Sequence, residues 1–85
     1  MFSKKTNSES EFLFASLKFK NFKSAWHFMN LVATEVEKLN HHPNWSNVYN
    51  KVDISLNTHD KGDKITELDY NLAKKIEEIY ESIKH

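Results

Sequence analysis

The chain has 85 residues, enough for one domain with a thin core, because a domain of this size removes only about 60–65% of its unfolded surface from water. Its 12 Lys and Arg balance 12 Asp and Glu, so no long-range field draws it to nucleic acid or an acidic membrane, and neither is expected as a direct partner. Cysteine is absent, which excludes disulfides, thiolate metal sites and cysteine nucleophiles, and with no apolar run near ~18 residues a soluble, cytoplasmic protein is expected.

Met1 to Ser10 is polar and aperiodic, and it reads as a loosely ordered tail. The folded domain is expected over 11–85. Leu13, Ala15, Leu17 and Phe19 alternate with Phe12, Phe14, Ser16 and Lys18, the period of a strand with one buried face. Phe12 and Phe14 fall on the other face, which asks for a subunit contact or for cover from the tail. Asn21 has the chemistry of a helix N-cap, and Phe22, Ala25, Met29, Val32, Ala33 and Val36 follow at helical spacing over about five turns. This helix must stop before Pro43. His41 and His42 therefore stand where it unwinds.

Val48, Val52, Ile54 and Leu56 occupy even positions while Lys51, Asp53, Ser55 and Asn57 occupy odd ones, again a half-buried strand pattern. One long strand and a hairpin turning at Asn50-Lys51 are both open, with the polar Asn50 favouring the break. After the loop Asp60-Lys61-Gly62-Asp63-Lys64, Thr66 and Asp69 resemble a capping box. Leu68, Leu72, Ile76, Ile79 and Ile83 then mark a second amphipathic helix. The expected fold is α+β, a small antiparallel sheet of three or four strands with two helices packed on one face. An exposed sheet edge and the outward phenylalanines point to a homo-oligomer, a dimer or tetramer.

Histidine is the side chain best suited to give and take protons near neutral pH. His41 and His42 stand at the helix end and His59 closes the strand, whereas His27 and His85 belong to no constellation. On a regular helix Glu37 and His41 are i,i+4 neighbours, so the carboxylate could fix the imidazole tautomer. A histidine pair at a helix end also serves simply as a dipole-stabilising cap. Three histidines with Glu37 form a conceivable zinc or iron set, but adjacent histidines on one backbone rarely converge on one ion, and no metal is expected.

The whole constellation is more specific. Glu37, then His41-His42-Pro43 four positions on, then Trp45 and Tyr49, His59 ten residues past Tyr49, and finally Asp69, resembles the signature of the pterin-4a-carbinolamine dehydratase family. The similarity runs through Phe19-Lys-Asn-Phe22, Ala25-Trp26, Phe28-Met29, Trp45 to Lys51 and Thr58-His59, about residues 13–83. Two departures stand out: Met1 to Ser10 replaces an N-terminal helix and first strand, and the loop from His59 to Asp69 is about one residue long.

The resemblance implies a metal-free hydro-lyase with no cofactor, acting in tetrahydrobiopterin recycling. Its small-molecule partner would be 4a-hydroxytetrahydropterin, dehydrated to the quinonoid dihydropterin by histidine acid/base chemistry. His41 and His59 are implied as the acid/base pair, in an order left open, with His42 binding and orienting substrate. Glu37 would hold a histidine, and Asp69 would orient a histidine or its loop. Trp45 would wall the pterin slot or fill the core, and Pro43 would set the turn. The alternatives are a non-catalytic dimerisation or transcriptional coactivator module, and a molybdopterin-linked pterin-binding protein.

Overall fold

The computed structural model describes residues 1–83. Four strands and two helices follow in the order β1 (Ser3–Thr6), β2 (Glu11–Lys18), α1 (Phe22–Leu39), β3 (Asn44–Val48), β4 (Lys51–Leu56) and α2 (Glu67–Ser82), with a short 3-10 turn at His59–Lys61. The sheet is antiparallel throughout and ordered β1-β2-β4-β3. This is the α+β arrangement that the hydrophobic periods predict.

The central pair sets the core face. Leu13 lies opposite Leu56, Ala15 opposite Ile54 and Leu17 opposite Val52, so the apolar residues of both strands share one side. All six are buried. Against them pack Ala25, Phe28, Val32 and Val36 of α1 and Leu72, Ala73 and Ile76 of α2. Phe28, absent from the expected stripe, is fully buried, whereas Phe22 and Leu68 are exposed. Phe28 lies tilted against Phe19, ring centroids 4.9 Å apart, and Tyr80 meets both rings edge-on while its hydroxyl donates to Lys18 O. These rings close the end of the core remote from the helix C-cap at Asn40.

The first residues are not a loose tail. Ser3–Thr6 pairs with Phe14–Glu11 as the edge strand β1, and its four side chains are all exposed. A short polar edge strand has no apolar alternation to betray it. Its register sets Ser3 beside Phe14 and Lys5 beside Phe12, leaving both rings half-buried. The segment thus supplies cover for the outward phenylalanines.

A hairpin joins β3 to β4, turning at Tyr49-Asn50, one residue earlier than the sequence suggests. Tyr49 takes the left-handed conformation, φ 52°, and the Asn47 side-chain amide braces the turn by donating to Tyr49 O and Lys51 O. The turn resets the alternation, so Trp45 faces Ile54 on the core side while Val48 faces Lys51 and is exposed. Asn50 sits half-buried because its amide donates to Phe19 O and its carbonyl accepts from Phe19 N.

Candidate active site

The site begins at the end of α1. Asn40 adopts the left-handed conformation, φ 51°, where its N–H donates to Glu37 O and that of His41 donates to Val36 O. These are the two bonds of a Schellman motif, with asparagine filling the place usually taken by glycine. The reversal takes His41 off the helical spiral. Its Nε2 lies 2.5 Å from Oδ1 of Asp69, in the first turn of α2. The i,i+4 contact between Glu37 and His41 is therefore not made. Glu37 instead meets His42, Oε2 to Nε2 2.9 Å, and both side chains are largely exposed.

Asp69 is the most constrained residue of the group. It is completely buried, and burial of a carboxylate is tolerable only when its oxygens are matched by donors. Oδ1 faces His41. Oδ2 accepts from the Thr66 N–H at 2.8 Å and from the Thr58 hydroxyl at 2.8 Å. The bond from Thr66 is the side-chain half of a capping box, as the sequence suggests, so one residue starts α2 and receives His41. Asp69 also ties the two histidine-bearing segments together, because Thr58 immediately precedes His59.

His59 opens the 3-10 turn and is exposed, with Nδ1 2.8 Å from Oδ1 of Asp63. Gly62 and Asp63 are both left-handed, φ 74° and 57°, and this double reversal swings the Asp63 carboxylate back to the imidazole. The hydrogen bond from Asp63, and then its charge, raise the His59 pKa above the ordinary 6.5. Glu11 pins the loop: its N–H donates to Asp63 O, its Oε2 accepts from Ile65 N, and its carbonyl accepts from the Asn57 amide.

Trp45 is half-buried on the core side of β3, and Pro43 lies half-buried just before that strand. His27 is exposed on α1; His85 lies outside the described residues. Sequence reasoning named every member of these three pairs except Asp63, whose i,i+4 spacing from His59 was the available signal. It also passed over the Thr58 hydroxyl. Among the described residues, no group of three or more His, Cys, Asp or Glu is arranged to hold a metal ion, and no helix is long and apolar enough to cross a membrane.

Comparison with known proteins agrees on one family. A sequence model described as Pterin 4 alpha carbinolamine dehydratase matches residues 4–79. A protein of Rhizobium leguminosarum bv. trifolii (strain WSM2304), named "Putative pterin-4-alpha-carbinolamine dehydratase", is 51% identical over 71 residues, covering 84% of this chain and 69% of its own length. Against a same-named protein of Rhizobium johnstonii the chain spans 60% of the relative's length. A crystal structure titled transcriptional coactivator/pterin dehydratase from Brucella melitensis superposes with a TM-score of 0.81 at 43% identity, covering 88% of this chain and 78% of that one. A pterin dehydratase-like protein described as a RuBisCO assembly factor in the alpha-carboxysome shares the fold, with a TM-score of 0.77 at 18% identity over 92% of this chain and 87% of that one. With the match spanning nearly the whole chain, sheet and histidine segments included, this protein belongs to the pterin 4 alpha carbinolamine dehydratase family.

Proposed function

We propose that this chain dehydrates a 4a-hydroxytetrahydropterin to the quinonoid dihydropterin, with His41 as base and His59 as acid. The observation that carries the reading is the contact of His41 with buried Asp69. A carboxylate only accepts, so His41 carries its proton on Nε2 and keeps a lone pair on Nδ1. Nδ1 has no partner among the described residues and is not buried. It is free to take a proton.

His59 has the complementary character. Its Nδ1 is engaged by Asp63, which raises its pKa and favours the protonated ring, leaving Nε2–H as the outward donor. In the reaction the base removes the proton from N5 of the pterin, the N5 electron pair forms the double bond to C4a, and the C4a–O bond breaks. The acid's proton leaves with that oxygen as water. His41 ends protonated and His59 neutral, and exchange with solvent restores both. His42, steadied by Glu37, and the half-buried Trp45 are suited to orient and flank a flat heterocycle.

The test is to mix the purified chain with synthetic 4a-hydroxytetrahydropterin and follow ultraviolet absorbance against the spontaneous reaction. Acceleration without added metal is expected, reduced by more than about tenfold in His41→Ala or His59→Ala. No acceleration above the spontaneous rate overturns the reading. The Brucella melitensis protein, described as a transcriptional coactivator as well as a pterin dehydratase, favours a second reading as a non-catalytic interaction module. That reading prevails if both alanine variants leave dehydration untouched and abolish partner binding.

A further inference from the structure

Thr58 occupies a position where β4 calls for an apolar side chain. Val52, Ile54 and Leu56 face the core at alternate positions, and residue 58 continues the series, 7% exposed. Valine has nearly the shape of threonine and would fill the same space. A buried hydroxyl costs free energy unless it is bonded. Here its bond falls on Oδ2 of Asp69, the carboxylate that holds His41.

The protons can be placed by counting. Thr58 Oγ1 lies 2.5 Å from Thr66 Oγ1 and 2.8 Å from Asp69 Oδ2, whereas Thr66 Oγ1 lies 3.5 Å from the same oxygen. Each hydroxyl has one proton. The arrangement that satisfies all three groups sends the Thr66 proton to Thr58 and the Thr58 proton to Asp69. Oδ2 then receives two donors, the Thr58 hydroxyl and the Thr66 N–H, which stops the carboxylate rotating and leaves Oδ1 to His41. Thr58 is itself rigid, since its N–H donates to Lys64 O and its β-branched side chain has few rotamers.

We infer that Thr58 is a positioning residue of the site: its hydroxyl, supported by Thr66, locks the Asp69 carboxylate in the one orientation that holds His41 with its proton on Nε2. The inference rests on the proposed dehydratase reading for its catalytic consequence, but its structural content can be read without activity. Thr58→Val keeps the shape and deletes the donor; Thr58→Ser keeps the donor. The direct readout is the His41 Nε2–H proton in nuclear magnetic resonance, assigned by its loss in His41→Gln. A strongly deshielded, slowly exchanging resonance is expected in the unsubstituted chain and in Thr58→Ser. In Thr58→Val it moves upfield and exchanges faster, and kcat falls about tenfold while KM stays within about twofold.

An unchanged resonance in Thr58→Val overturns the inference, whatever happens to kcat. A shifted resonance in a chain without dehydratase activity upholds the inference and removes the proposed function instead. Should Thr58→Val fail to fold, Thr58→Ala takes its place, since it deletes the same hydroxyl while keeping the Thr66 N–H bond to Asp69. The same upfield movement is expected there, and its absence is equally decisive against the inference.

Discussion

His41 Nε2 and Asp69 Oδ1 meet at 2.5 Å across 28 positions of the chain, with the Asp69 side chain fully buried and that of His41 11% exposed. The contact fastens the end of α1 to the start of α2 and fixes the ring by which the proposed base is presented. Stability and chemistry therefore share one carboxylate.

Asp69→Asn separates these roles. The amide fits the same space but can present a donor to His41 and so favours the wrong imidazole tautomer, and kcat is expected to fall by about 10² or more. Because one buried acceptor is weakened and the cap of α2 is altered, unfolding free energy should drop by about 1–3 kcal/mol. Steady-state kinetics and urea denaturation followed by circular dichroism measure the two effects on the same sample.

The exposed pair His59–Asp63 makes a prediction about pH. Since the folded-state pKa of His59 is raised, the pair contributes stability that is fully present below the unfolded-state value and is lost as pH rises through the raised folded value. Asp63→Asn should lower the His59 titration midpoint towards 6.5, the ordinary histidine value. A histidine-resolved resonance titration checks this, and the limb of the kcat/KM profile assigned to the acid should move the same way.

Asn40 supplies a test of how the histidines are presented. Glycine tolerates the left-handed conformation, so Asn40→Gly should change stability by less than about 1 kcal/mol and leave activity near normal. Asn40→Val puts a β-branched side chain, which lacks asparagine's tolerance of the left-handed region, in that conformation and should cost about 1–2 kcal/mol, with a larger relative loss of activity as His41 is displaced. Thermal melts compared with kcat separate the two substitutions.

In the core, Phe28 is fully buried and in ring contact with Phe19 and Tyr80. Phe28→Ala should cost about 3–5 kcal/mol, a large share of what a domain of this size can hold. Phe28→Leu should cost clearly less. Denaturant midpoints for the two variants give the comparison.

The residues that speak clearly in sequence are those whose position follows from a period or from a neighbour in the chain. Leu13 to Phe19, Val52 to Leu56, the Asn21 cap and the Thr66–Asp69 start of α2 are of this kind, and the spacing from Glu37 to Asp69 carries the family. What period and spacing do not convey is a reversal of the backbone. The left-handed Asn40 turns Glu37 from His41 to His42, the left-handed Tyr49 shifts the hairpin and exposes Val48, and Gly62-Asp63 brings Asp63 onto His59. Strand β1 was silent for another reason, because its side chains are all polar and its stability comes from backbone pairing with β2.

That border strand carries a protection of its own. Lys4 and Lys5 are consecutive, so the two-residue period of the strand sends one ammonium group to each side of the sheet at its rim. A foreign strand adding to this rim would trap a cation on whichever side it covered, a barrier to fibril-like growth that dissolved salt weakens by screening.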